Sequence, residues 1–172
     1  MMLSEILKIQ GWMNLDELVW LMNVARGMKS IVEIGAWRGR SSCALASGCQ
    51  GPIYCVDTWR GSPEDGTDRI AQNEDIKAQF VTNTAPCKNI RIMEMTSLEA
   101  ARKLKRKVDM VFIDGDHRYS TVKAEIEAWL PKTQVMIAGH DYGHPPIYQA
   151  VTDTIGPVDT FREIWYRRNH GK

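Results

Sequence analysis

Short apolar runs alternate with amphipathic stretches along almost the whole chain. Asn14 followed by Glu17 reads as a capping box that opens a helix running to about Gly27, with Leu15, Leu18, Val19 and Met22 as its apolar stripe. Residues 30–34 form a short strand pattern ending at Gly35, and helix periodicity resumes from Arg40 to Ser47. A second strand covers Pro52 to Val56. The polar stretch from Arg60 to Asp68 contains Gly and Pro and reads as a mobile loop. A helix from Arg69 to Asn83, a strand over 90–93 and a helix capped by Ser97 and reaching Arg106 follow. The fourth strand is Val108–Ile113. A helix from Ser120 to Leu130 is stopped by Pro131, and a fifth strand spans Gln134 to Ala138. A helix over 147–154 leads to a tail with strand patterns at 158–161 and 164–167. Strands that alternate with helices predict a doubly wound α/β sheet with parallel central strands. The two tail strands have no helix between them, so they predict an antiparallel edge near the C-terminus.

Composition narrows the class. A chain of 172 residues fits a single domain over 1–172, with residues 1–28 as a helical segment packing on it. A net charge of +1 gives no global field toward nucleic acid or anionic lipid. The basic run at Arg102, Lys103, Lys105, Arg106 and Lys107 reads as a solvated helix end rather than a phosphate site. No window holds 18 consecutive apolar residues, and Glu5 and Lys8 interrupt the N-terminal stretch, so neither a membrane span nor a signal-peptide layout is expected. Cys43, Cys49, Cys55 and Cys87 form no C-x-x-C pair and are expected as free thiols, which suits the cytoplasm.

Two strands end in chemistry. Val108–Ile113 runs into Asp114-Gly115-Asp116-His117, and the strand over 134–138 runs into Gly139-His140-Asp141. Ligands in open α/β sheets bind beyond the strand carboxyl ends. Core packing does not require two acids and two histidines at one edge, so these residues point to a site. Asp114, His140 and Asp141 are candidate ligands for a divalent ion: hard oxygens suit Mg²⁺, and the imidazole tilts the set toward Mn²⁺. His117 is a candidate proton acceptor, or alternatively a cap for the following helix. His140 is alternatively a strand-end histidine bonded to backbone.

The turn after the first strand reads Glu33-Ile34-Gly35-Ala36-Trp37-Arg38-Gly39-Arg40-Ser41. Gly35 permits a sharp turn against a ligand, and Gly39 permits close packing where a helix starts. Asp57 ends the second strand, 22 residues after Gly35, where a carboxylate can accept from both ribose hydroxyls of a nucleoside. The glycines could instead be turn punctuation, with Asp57 capping its own loop. The G-x-G-x-x-G fingerprint is absent, so a nicotinamide site fits poorly, and no phosphate loop of the G-x-x-x-x-G-K-[ST] type occurs.

Taken together, these segments resemble the class I S-adenosylmethionine-dependent methyltransferases over nearly the whole chain. Glu33-x-Gly35-x-x-x-Gly39-x-Ser41 is similar to their first motif, Val56-Asp57 to their acidic second motif, and Met95-Thr96-Ser97-Leu98-Glu99-Ala100 to their adenine-side segment. The segments 112–117 and 138–142 resemble the small-molecule O-methyltransferase branch related to macrolide-sugar and catechol enzymes. The resemblance implies a Rossmann-like sheet and S-adenosylmethionine as cofactor. It implies a cofactor site from Glu33, Gly35, Ala36, Trp37, Gly39, Ser41, Asp57, Thr58, Trp59, Ser97 and Asp114, with Asp57 on the ribose and Ser97 near adenine. It places Mg²⁺ on Asp114 and Asp141 and the general base at His117; His140 stands where the sugar enzymes usually carry an acid. The expected reaction is methyl transfer to a hydroxyl of a small molecule, with no nucleic acid or membrane partner. A hydroxylase of the cephalosporin-tailoring type and a non-catalytic nucleoside-binding module are the other classes these motifs allow. The segment up to Trp12 and the loops 60–68 and 143–146 are the available acceptor walls, and a second copy in a homodimer could supply another.

Overall fold

The computed structural model describes residues 1–169. Its helices are α1 (Leu3–Ile6), α2 (Leu15–Ala25), α3 (Arg40–Gly48), α4 (Thr67–Asn73), α5 (Ile76–Thr84), α6 (Ser97–Lys103), α7 (Tyr119–Trp129) and α8 (Pro145–Ile155). Its strands are β1 (Ile31–Ile34), β2 (Ile53–Asp57), β3 (Ile90–Glu94), β4 (Val108–Ile113), β5 (Thr133–Gly139), β6 (Asp159–Phe161) and β7 (Ile164–Arg168). The sheet order is β3-β2-β1-β4-β5-β7-β6. The first five strands in that order are parallel, and β7 and β6 pair antiparallel at the edge. This is the doubly wound, mostly parallel sheet that the sequence predicts. The order reverses between β1 and β4, which opens a crevice at their carboxyl ends.

Alternate residues of the strands feed two cores. Ile31, Ile53, Cys55, Met110 and Phe112 face the layer of α1, α2, α3 and α5, with Leu18, Leu21, Leu45 and Phe80. Val32, Ile34, Val111 and Ile113 face the other layer, with Val122, Ile126, Trp129 and Val151. Period-two alternation places Glu33 on the same side as Ile31, inside an otherwise apolar layer. Residues 1–28 pack on α3. No helix among the described residues is long and apolar enough to cross a membrane.

Several local expectations shift. The capping box of α2 forms, with Glu17 N donating to Asn14 Oδ1 at 3.1 Å and Asn14 N to Glu17 Oε2 at 2.9 Å. Its buried stripe is Leu18, Leu21 and Ala25, however, and Leu15 and Val19 are exposed, because the helix turns its 18-21-25 row toward α3. The helix expected over 69–83 is two helices. Glu74 is extended, and Asp75 caps α5 by accepting from Ala78 N at 2.9 Å. Thr96, not Ser97, caps α6, in a capping box with Glu99. That helix stops at Lys103, so Lys105, Arg106 and Lys107 lie in an exposed loop. Pro145 and Pro146, expected in a loop, open α8, where a missing N–H costs nothing.

Candidate functional site

A cleft of about 490 Å³ lies across the carboxyl ends of β1, β2, β4 and β5, within the usual range for a small-ligand site. Its base is the turn after β1. Gly35 has φ +83°, and a Cβ there would lie 1.9 Å from the carbonyl oxygen of Asp114. The two strand ends thus touch backbone to backbone, and only glycine fits between them.

Trp37 and Trp59 follow in left-handed conformations, with φ 46° and 53°. Such geometry costs about 1–3 kcal/mol in a non-glycine residue and must be held by its surroundings. Asp57 holds it. Trp37 N donates to its Oδ2 at 2.8 Å and Trp59 N to its Oδ1 at 2.7 Å. Trp59 Nε1 donates to Trp37 O at 2.8 Å and closes the brace. Burial raises the Asp57 carboxyl above its ordinary value, while those N–H groups act in the opposite direction. Asp57 still lines the cleft, as do Gly35, Ala36, Trp37, Ser41, Thr58, Ser97 and Asp114.

Three members of the expected cofactor set lie behind the wall. Gly39, with φ +90°, meets Thr84 Cγ2 at 2.6 Å from its virtual Cβ and is a helix-packing residue. Trp59 is buried against Phe80, with ring centroids 5.2 Å apart. Glu33 is fully buried beside its register partner Cys55, accepting from Ser42 Oγ and from Cys55 Sγ at 3.3 Å. Its Oε1 has no partner among the described residues. Burial pushes the carboxyl up to about 7, against hydrogen bonds from Ser41, Ser42 and Cys55 that lower it. A group raised on folding stabilises fully below its unfolded value and loses that contribution as pH climbs toward the folded value. Glu33 therefore lowers stability between about pH 4.5 and 7, by at most about 3 kcal/mol. Urea unfolding of Glu33→Gln is expected to show a shallower decline across that window than the parent chain. Parallel pH profiles would contradict this.

At the other end, Asp141 joins two imidazoles. Its backbone is left-handed, with φ 56°. His117 Nε2 lies 3.1 Å from Asp141 Oδ2, and His140 Nδ1 lies 3.2 Å from Oδ1. His140 Nδ1 is also 3.8 Å from Asp114 Oδ1, and its Nε2 is 3.2 Å from Glu17 Oε1. Glu17, nearly fully buried, accepts Glu163 N at 3.2 Å as well. Burial is the largest single effect on His140 and opposes its charge. The Asp141 hydrogen bond and the charges of Asp114, Asp141 and Glu17 together outweigh burial and push it up to about 10. The hydrogen bond with Asp141 is the main cause raising His117. Asp141 is held far below the usual carboxylate range despite burial, by the two histidines, whereas burial raises Asp114 to about 6. The loop before α4 reaches the same place: Asp65 Oδ2 is 3.9 Å from His117 Nδ1, and Glu64 pairs with Arg118.

One ligand atom from each of Asp114, His140 and Asp141 falls within 4.8 Å of the others. An imidazole whose second nitrogen rests on a carboxylate is the arrangement that orients metal-binding histidines. The donor set fits a divalent cation, which would have to displace the proton His140 otherwise holds. Glu17 was not foreseen as a site residue, because its place in the capping box accounts for it in the sequence. Glu125 was missed too, although an acid on the buried row of Val122, Ile126 and Trp129 is a visible signal. Arg38 and Arg40 also line the cleft. Their Nε groups and Trp37 Nε1 are buried without partners among the described residues.

A braced glycine turn, an acid ending β2 and an acid–histidine cluster beyond β4 and β5 together define a class I methyltransferase fold with its cofactor cleft. Residues 32–142 match the family described as "Methyltransferase domain", and the chain belongs to that family. A curated relative, the uncharacterized protein y4gI of Sinorhizobium fredii, is 31% identical over 121 residues, covering 66% of this chain. The match spans only 13% of that larger protein. Among solved structures, the O-methyltransferase from Bacillus cereus in complex with SAH is 17% identical with TM-score 0.66, over 88% of this chain and 76% of that one. TomG, an O-methyltransferase from Streptomyces achromogenes involved in tomaymycin synthesis, solved with SAM, is 16% identical with TM-score 0.62, over 85% and 63%. At these identities the likeness is one of fold.

Proposed function

We propose that this chain is an S-adenosylmethionine-dependent O-methyltransferase acting on a hydroxyl of a small molecule, with a divalent cation assisting. The observation that carries the reading is the Asp141 carboxylate shared by His117 and His140 at the end of the cleft where the glycine turn meets Asp114. S-adenosylmethionine supplies an electrophilic methyl group on its sulfonium. Asp57 would accept the ribose hydroxyls beside the backbone N–H groups of Trp37, Trp59, Ala36 and Thr58 that already face it. Trp37, Arg38 and Arg40 would take the amino-acid carboxylate on their unpartnered N–H groups. Asp114, Asp141 and His140 Nδ1 would hold the cation, whose chemistry is to make the acceptor hydroxyl more acidic.

His117 is the proton acceptor in this reading. With Nε2–H donated to Asp141, the lone pair sits on Nδ1, the nitrogen that faces Asp65. The acceptor oxygen forms its bond to the methyl carbon as that carbon's bond to the sulfonium sulfur breaks. The electron pair stays on sulfur to leave the thioether S-adenosylhomocysteine, and the hydroxyl proton passes to His117 Nδ1. Asp141 fixes the tautomer and stabilises the imidazolium that forms. Most of the remaining assistance is orientation within a restricted cleft.

Calorimetry with S-adenosylhomocysteine tests the cofactor assignment. Asp57→Ala is expected to weaken binding roughly ten- to a hundredfold, the cost of about 1.5–3 kcal/mol for a charge-assisted hydrogen bond. Absence of binding to the parent chain would end the methyltransferase reading. Unchanged affinity in the variant would restrict Asp57 to bracing the two tryptophan turns.

A further inference from the structure

Glu125 is an acid where helix periodicity calls for an apolar side chain. It shares the buried row of α7 with Val122, Ile126 and Trp129 and is 4% exposed. Nothing in the mechanism uses it. Its Oε2 is buried and has no hydrogen-bond partner among the described residues, yet the side chain lines the cleft. A buried acceptor left unpaired costs about 1–3 kcal/mol, so a site that keeps one is built for a ligand that supplies the donor.

The surroundings specify the donor. Trp129 Nε1 donates to Ser97 Oγ at 2.9 Å, and the Ser97 hydroxyl in turn faces Glu125. This relay occupies one side of the carboxyl and leaves Oε2 without a partner among the described residues. The cleft lining includes the uncharged Val56, Met95, Thr96 and Thr121, which suit a flat ring, and Asp116, whose charge also bears on Glu125. Burial makes the charge of Glu125 costly while its Oε2 is unpaired, so the carboxylate gains most from a ligand N–H that satisfies it.

We propose that Glu125 reads the nucleobase of the cofactor, its Oε2 accepting a hydrogen bond from the exocyclic amino group of adenine, and so selects adenosyl ligands over 6-oxopurine ones. The inference rests on the methyltransferase reading above. In a 6-oxopurine the amino donor is replaced by a carbonyl acceptor. Above the value of about 8 to which burial raises Glu125, where the carboxyl is ionised and the titrations are run, two acceptors then face each other, and discrimination of the kind seen when a buried polar group loses its partner follows.

The test is calorimetric titration of the full chain with S-adenosylhomocysteine and S-inosylhomocysteine. The parent chain is expected to prefer the adenosyl compound by roughly ten- to a hundredfold. Glu125→Ala should narrow that preference to within about threefold, because neither base then has a partner. Glu125→Gln gives the distinguishing signature. Its amide can turn to present either C=O or N–H, so it should hold the adenosyl compound about as well and bind the inosyl compound roughly tenfold more tightly than the parent does. A role confined to packing would not produce that gain. An undiminished adenosyl preference in both variants overturns the assignment while leaving the cofactor reading intact. A parent chain that binds neither compound overturns both.

Discussion

His117→Ala is expected to slow methyl transfer by about 10²–10⁴-fold, the usual worth of a positioned general base, with cofactor affinity within a factor of two of the parent chain. The separation arises because His117 lies past β4 beside Asp141 and Asp65, while the groups proposed to hold the cofactor come from the turns after β1 and β2, the start of α6 and the Glu125 position of α7. The imidazole accepts a proton only when neutral. Its hydrogen bond with Asp141 raises its titration above the ordinary histidine value. Activity of the parent chain should therefore fall as pH drops through that raised value and level off above it. Asp141→Asn removes the cause of the shift, so the fall should move to lower pH as total activity drops. Turnover measured across pH with a panel of vicinal diols and catechols checks both statements. A variant lacking His117 that keeps parental turnover would remove it from the chemistry, and an unmoved profile in Asp141→Asn would separate the two residues.

Gly35→Ala is expected to destabilise the chain by roughly 3 kcal/mol or more and to abolish cofactor binding. Two effects add. A left-handed backbone disfavours a β-carbon, and the added carbon would lie 1.9 Å from the Asp114 carbonyl oxygen and 2.7 Å from Gly115 Cα. Both atoms are backbone, so no side chain can turn away. The ends of β1 and β4 would have to part, at the crevice where the sheet order reverses. Urea unfolding reads the first effect and calorimetry the second. Gly66→Ala is the control, because its virtual Cβ meets nothing within 4 Å although its φ is also positive. Equal losses in the two variants would show that backbone conformation alone, and not the close approach, makes Gly35 necessary.

The order of elements was legible because strand and helix periods differ, and the alternation leaves few topologies open. Boundaries were less so. Nothing in periodicity separates α4 from α5, since Glu74 and Asp75 fit the polar face of one longer helix; the break becomes clear only when Glu74 is seen extended with its carboxylate on Arg38. Acids at strand ends were legible as cleft-lining residues, as Asp57, Asp114 and Asp141 are, because a core has no use for them. Acids inside helices were not. Glu17 forms the cap its spacing predicts, and only the structure adds its pairing with His140; Glu125 shares the apolar row of α7, a signal that motif spacing does not use. Glu33 erred in the opposite direction: its motif suggested a ligand contact, but its strand position turns it into the core. Sequence spacing locates Cα atoms on elements and leaves open which side of a wall a carboxyl occupies.

Glu17 ties together positions far apart in the chain. It reaches His140 across 123 residues and the backbone of Glu163 across 146. Contacts that close such long loops form late in folding, after local helices and neighbouring strands. His140 acquires this counter-charge only when α2 and the turn before β7 have both docked. A partly assembled chain could display the parallel strands, and even a serviceable nucleoside cleft, without a competent acid–histidine cluster. In the proposed reading, proton transfer at the cluster would thereby depend on completion of the fold.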